Sequence, residues 1–215
     1  VADTGANIAA NAAALAAATN VDAVDATDNV VNLSAANAIL LNGKLTGTDN
    51  NLVLDTNANI RALTAVQLGA LTNIDSFDAT DNVLTTDVAQ TTAITNAKLT
   101  AADVVTVTDL GANLAAAGGI VVAQFANVDA IDASDNILNL TVANAALVTN
   151  AKLTGADVVT LVDAGATIVG AAATTVSFAN VDFVDANNDV IVATQAQFTS
   201  ITNGKLVALD NVTLA

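Results

Sequence analysis

The chain has no cysteine, histidine, proline, methionine, tryptophan or tyrosine, and it carries five basic residues against 21 acidic ones. Without cysteine there is no disulfide, no cysteine-ligated zinc and no thiol nucleophile. Without histidine the commonest general base at neutral pH and the commonest transition-metal ligand are both missing. A formal charge of −16 leaves no clustered Lys and Arg for phosphate contacts, so neither nucleic acid nor an anionic membrane surface is an expected partner. Asn, Asp and Thr interrupt every apolar run well before the roughly 18 residues that a spanning helix needs, so no membrane insertion is expected. The N-terminus shows no signal-peptide pattern.

What is present is repetitive. Asn20-Val-Asp-Ala-Val-Asp-Ala-Thr-Asp-Asn29 returns as Asn73-Ile-Asp-Ser-Phe-Asp-Ala-Thr-Asp-Asn82 and as Asn127-Val-Asp-Ala-Ile-Asp-Ala-Ser-Asp-Asn136. A looser copy is Asn180-Val-Asp-Phe-Val-Asp-Ala-Asn-Asn-Asp189, so the copies start at residues 20, 73, 127 and 180, at spacings of 53, 54 and 53. A period of that size is the mark of a repeat architecture. Lys44, Lys98, Lys152 and Lys205 share one position of the period, and only Arg61 stands outside that column. Between the acidic motifs a shorter strand-like signal recurs as Asn51-Leu-Val-Leu-Asp55, Val104-Val-Thr-Val-Thr-Asp109 and Val158-Val-Thr-Leu-Val-Asp163. Each repeat therefore holds a longer and a shorter half-unit, and the repeats run approximately over 1–50, 51–103, 104–157 and 158–210 of one elongated domain spanning 1–215. Val1 to Ile8 aligns with Val107 to Leu114, Asn211 to Ala215 aligns with the start of the same strand at Val104 to Thr108, and neither terminus has a polar cap; the chain reads as a segment of a longer array or a processed product.

The composition suits thin stacked layers. Hydrophobic residues make up 53% of the chain and are mostly Ala, Val, Leu and Ile, with five Phe; small aliphatic side chains fill narrow interiors better than deep ones. The long half-unit reads Val128-x-x-Ile131-x-Ala133-x-x-Asn136-x-Leu138, and the copies beginning Val21 and Ile74 keep the same register. That spacing resembles the leucine-rich repeat pattern, in which the apolar positions face the coil interior and the Asn turns the chain after a short strand. The shorter half-unit keeps part of it in Leu52-x-Leu54-x-x-Asn57, with Leu110 and Ala164 in place of the Asn in later copies. Helical segments follow the strands over Leu33–Leu40, Asp87–Ile94, Leu140–Leu147 and Ala193–Ser200, with Ser34, Thr86 and Thr141 as candidate caps. Strand then helix, repeated about eight times, implies an α/β solenoid with one parallel sheet. An all-β parallel helix is the alternative, favoured by Thr and Val and disfavoured by the Ala-rich stretches.

The Asp columns are the candidate chemistry. Calcium takes six to eight oxygen ligands, and the candidate ligands are Asp25 and Asp28, Asp78 and Asp81, Asp132 and Asp135, and Asp185. Because equivalent carboxylates would stand roughly 10 Å apart, two strand spacings, any ion must be held locally, with Asp55, Asp109 or Asp163 as further donors. The bland reading is a set of solvated, turn-capping carboxylates. Asp22 and Asp25 could in principle serve as acid and base on a glycoside, but fourfold repetition without an aromatic sugar platform argues against an enzyme. The Lys column reads as helix C-terminal charge or as a ladder for lateral contact. The columns at Asn29, Asn82 and Asn136 and at Asn20, Asn73, Asn127 and Asn180 read as structural ladders that satisfy loop backbone groups.

Acidic, cysteine-free tandem repeats rich in Ala, Asn, Asp and Thr resemble the repeat regions of large secreted surface proteins of Gram-negative bacteria, of adhesin, surface-layer or matrix type. The resemblance implies an extracellular or cell-surface location and a non-catalytic role as scaffold, spacer or self-assembling filament unit, with end-to-end or lateral self-association. A calcium- or ligand-binding adhesin module, using the acidic sheet face, is the alternative.

Overall fold

The computed structural model describes residues 1–215, the side chain of Asn203 apart. Strands and short helices alternate throughout, and the chain divides into two compact units, Val1–Thr106 and Val107–Ala215. The first unit runs β1 (Ala2–Asp3), α1 (Gly5–Ala10), α2 (Ala12–Ala17), β2 (Asp25–Ala26), β3 (Val30–Leu33), α3 (Ala35–Leu41), β4 (Asn50–Asp55), α4 (Asn57–Arg61), α5 (Ala65–Ala70), β5 (Ser76–Ala79), β6 (Val83–Thr86) and α6 (Val88–Ile94). The strand β7 (Val104–Asp109) passes through the division. The second unit continues with α7 (Gly111–Ala115), α8 (Ala117–Ala123), β8 (Ala130–Ala133), β9 (Ile137–Leu140), α9 (Val142–Val148), β10 (Val158–Asp163), α10 (Gly165–Gly170), β11 (Phe183–Ala186), β12 (Val190–Ala193), α11 (Gln195–Ile201) and β13 (Asn211–Leu214).

Each long half-unit folds as strand, tight turn, strand and helix. The turn is made by the Asn that the sequence pattern marks: Asn29, Asn82 and Asn136 have φ of 56°, 57° and 56°, and Asp189 takes the same left-handed conformation at 54°. Asn and Asp tolerate that region better than other residues with a Cβ. Around the turn the apolar positions point inward. Val24, Phe77, Ile131 and Val184 are fully buried, as are the Ala two residues on and Val31, Leu84, Leu138 and Ile191 beyond the turn. A Leu after each Lys returns to the layer: Leu45, Leu99, Leu153 and Leu206 bridge in parallel to Val24, Phe77, Ile131 and Val184.

The sheet is not the single one expected. The strands pair in parallel, but they form several small sheets, none closed into a barrel. The reason is the tight turn, which interrupts the ladder inside every long half-unit. A six-residue strand of the short half-unit then serves two neighbours: β4 pairs through Asn50–Val53 with β3, beyond one turn, and through Leu52–Asp55 with β5, before the next. In the second unit β10 joins β9 to β11 in the same manner.

Three local expectations shift by one residue. Asn51 and Val53 face the interior, while Leu52 and Leu54 lie half-buried on the other side. The counterparts of Asn57 are Gly5, Gly111 and Gly165, each the first residue of its helix, not Leu110 and Ala164. A Cβ at Gly5, Gly111 or Gly165 would lie 1.7 to 1.8 Å from a carbonyl oxygen of Val30, Ile137 or Val190, so the close approach of helix and strand requires glycine there. Ser34 and Thr141 cap α3 and α9 as expected. The cap of α6 is Asp87, in a capping box with Gln90, because Thr86 is the buried last residue of β6 and its hydroxyl pairs with Thr91 at 2.7 Å.

Candidate functional site

The recurring polar residues reach across half-units to backbone groups. Helix starts leave N–H groups unpaired, and the Asp28 column accepts them. Gly5 N donates to Asp28 Oδ1 at 2.9 Å, Asn57 N to Asp81 Oδ1 at 3.0 Å and Gly111 N to Asp135 Oδ1 at 3.0 Å. In the fourth copy Asn188 Oδ1 accepts from Gly165 N at 3.0 Å. The Asp-Asn order of the first three copies is reversed there, and both tasks survive, because Asn188 still accepts and Asp189 still turns. Asp55 and Asp163 act likewise on the other helices, accepting from Ala35 N at 3.0 Å and Val142 N at 3.2 Å through Oδ2.

The same Asp55 also accepts from Thr56 N and from the Asn59 amide. Burial raises its pKa, but the hydrogen bonds from Asn59, Ala35 N and Thr56 N outweigh burial and hold its carboxyl below the ordinary aspartate value. At Asp3 the Asn7 amide and Thr4 N lower the carboxyl in the same direction.

Of the other two motif columns, one pairs with the neighbouring strand. Asp75 N donates to Asn51 O, and Asn51 N donates back to Asp75 Oδ2, both at 2.8 Å; Asp182 and Val159 repeat the exchange at 2.9 Å. The Asp25 column projects outward from the strands, as expected. Asp132 accepts a long bond from the Thr108 hydroxyl at 3.4 Å, whereas the carboxylates of Asp25, Asp78 and Asp185 have no hydrogen-bond partner among the described residues. Thus Asp28, Asp81 and Asp135 are turned to helix N-termini, and Asp25, Asp78, Asp132 and Asp185 to the outer face. Among the described residues no three acidic side chains gather in a group able to hold a metal.

Basic and amide side chains serve the opposite helix ends. Lys44 Nζ donates to the carbonyls of Leu15, Ala16 and Ala18 at 2.6 to 3.1 Å. Lys98 reaches Leu71, Lys152 reaches Ala123 and Phe125, and Lys205 reaches Val176 and Phe178. The column is therefore a C-terminal cap for the preceding half-unit. Burial lowers the ammonium groups of Lys98, Lys152 and Lys205 below the usual lysine value, opposed by Asp75, Asp129 and Asp182. A parallel column of amides does similar work: Asn37 donates to Ala9 O, Gln90 to Arg61 O and Leu63 O, Asn144 to Ala115 O and Gln197 to Val169 O. Asn73 and Asn180 likewise clasp Asn42 and Asn150.

A further acidic column lies outside the repeated motif. Asp49, Asp103 and Asp157 are buried, between 3% and 5% exposed, and Asp210 is the half-buried fourth member. Their carboxylates accept the amides of Ala26, Ala79, Ala133 and Ala186, and the first three also accept a hydroxyl from Thr46, Thr100 or Thr154. The signal was a Thr-x-x-Asp at one position of the period, five residues after each Lys, with Val207 replacing the Thr in the last copy. Asp210 lacks that hydroxyl; burial raises its carboxyl, Ala186 N opposes the rise, and Asp185 and Asp189 add to it.

No helix among the described residues is long and apolar enough to cross a membrane. Compared with known proteins, the chain matches no family model, no curated protein and no solved structure.

Proposed function

We infer that the chain is a non-catalytic structural repeat domain whose half-units stack as a leucine-rich-repeat-like α/β solenoid. It acts as a scaffold, spacer or self-assembling unit of an extracellular or bacterial cell-surface structure. The observation that carries this reading is the direction of the recurring polar side chains: Asp28, Lys44, Asp49, Asp55 and their counterparts bind backbone groups of adjacent half-units. Residues repeated for catalysis would have to converge on a substrate; the Asp28, Lys44 and Asp55 columns go to helix ends and the Asp49 column to strand amides. Self-association is tested by electron microscopy of the purified chain at high concentration. Filaments or ordered arrays are expected, and dispersed single molecules would remove assembly from the reading.

A second reading, a calcium- or ligand-binding adhesin module, draws on the unpartnered carboxylates of Asp25, Asp78 and Asp185. Replacing Asp25, Asp78, Asp132 and Asp185 together by Asn separates the two. On the structural reading the melting temperature is kept and no ligand response is lost; loss of a calcium response in that variant would favour the second.

A further inference from the structure

The turn leading into β4 departs from its counterparts. It reads Thr46-Gly-Thr-Asp-Asn-Asn51, where the others read Thr100-Ala-Ala-Asp-Val-Val105, Thr154-Gly-Ala-Asp-Val-Val159 and Val207-Ala-Leu-Asp-Asn-Val212. Five of its six side chains carry oxygen, against two in the second and third copies. The interior position held by Val105 and Val159, each fully buried, is Asn51, which is 0% exposed beside Asp49 at 3%.

The polar exchange changes what the aspartate does. Asp103 and Asp157 each place both carboxylate oxygens on one backbone amide. Asp49 places only Oδ2, on Ala26 N at 3.1 Å and the Thr46 hydroxyl at 2.6 Å. The Asn51 amide nitrogen donates to Thr46 O at 2.9 Å and Asp49 O at 3.4 Å. Asp49 Oδ1 and Asn51 Oδ1 are then two buried acceptors in one turn with no donor from the protein. An unmatched buried acceptor is costly, and a carboxylate oxygen more so.

We propose that Asp49 Oδ1 and Asn51 Oδ1 are ligands of a hard-cation site of calcium type in the Thr46–Asn51 turn. The donors are all oxygen, which selects hard cations. Calcium accepts irregular mixtures of carboxylate, amide and water oxygens, whereas magnesium demands near-octahedral geometry and dehydrates reluctantly. The exposed Thr48 carries a further oxygen on the same turn, with water to complete the shell. A single carboxylate places the affinity at the weak end of protein calcium sites, about 10⁻³ M. The site is distinct from the outward Asp25 column, and it belongs to one copy only.

The test is thermal melting of the whole chain in calcium chloride and in choline chloride at equal ionic strength, with calorimetric titration of calcium alone. A saturable rise of about 4 °C in about 10 mM calcium is expected. Asn51→Val, which installs the residue of the other copies, abolishes the rise. Asn51→Asp, which keeps the size and adds charge, tightens calcium about tenfold, since ligand charge sets affinity. Equal melting in the two salts, a rise that survives Asn51→Val, or unchanged affinity in Asn51→Asp would each overturn the site.

Discussion

Asn188 takes the Gly165 amide hydrogen on Oδ1 at 3.0 Å, the same distance at which Asp135 takes that of Gly111. A neutral amide and a carboxylate do one job at one position, so the requirement is an acceptor and not a charge.

Asp135→Asn therefore costs little, under about 1 kcal/mol, the share owed to charge at a helix N-terminus. Asp135→Ala removes the acceptor and costs about 0.5–2 kcal/mol, the range of a lost cap. Urea unfolding of the two variants separates them; equal losses would show that the charge matters after all.

Lys152→Met keeps the stem and removes the donor to Ala123 O and Phe125 O. Two helix-end carbonyls then lose their partner in a half-buried setting, with an expected cost of about 1–3 kcal/mol. A variant of unchanged stability would restore the alternative of an outward lysine ladder.

Gly111→Ala places a Cβ 1.7 Å from Ile137 O and 3.3 Å from Asp135 Oδ1. Backbone must move, so a loss above about 3 kcal/mol is expected. Gly155→Ala is the control, because nothing lies within 4 Å of its Cβ; it stays within about 0.5 kcal/mol of the parent. Circular dichroism melts of both variants decide the matter.

Two aspartates respond to acid with opposite sign. The folded-state pKa of Asp55 lies below the ordinary value, so its contribution is present above that value and is lost as pH falls through the folded one. The folded-state pKa of Asp210 lies above the ordinary value, so the fold binds its proton more readily than the unfolded chain, and stability rises as pH falls through that folded value. Val207→Thr supplies the hydroxyl that the other copies have and removes the gain on the acid side of neutrality. Urea midpoints from pH 7 down to pH 3 for parent and variant test it; superimposable curves would disprove the assignment to Asp210.

The long half-unit was legible because its pattern is local. The inward positions Val128, Ile131, Ala133 and Leu138, and the turning Asn136, lie within a few residues of one another and follow strand alternation and turn chemistry. The short half-unit was misread by one residue because Asn51, a polar side chain, occupies an interior position while Leu52 and Leu54 lie half-buried on the other side. Pattern reading assigns Leu to the core and Asn to the surface. The buried Asp49 column was missed for the same reason, since an aspartate in an apolar layer is intelligible only with its amide and hydroxyl partners in view. The partners of Asp28 and Lys44 lie 23 to 29 residues away, beyond any window that sees local propensity alone.

The capping of Gly111 by Asp135, 24 residues further on, gives the chain a direction in time. On a ribosome α7 emerges before the residue that completes its first turn, and its leading amide stays with water until the next half-unit has been made and docked. Each layer is thus finished by its successor, which favours growth of structure from the N-terminal side and makes a stalled chain incomplete in its newest layer.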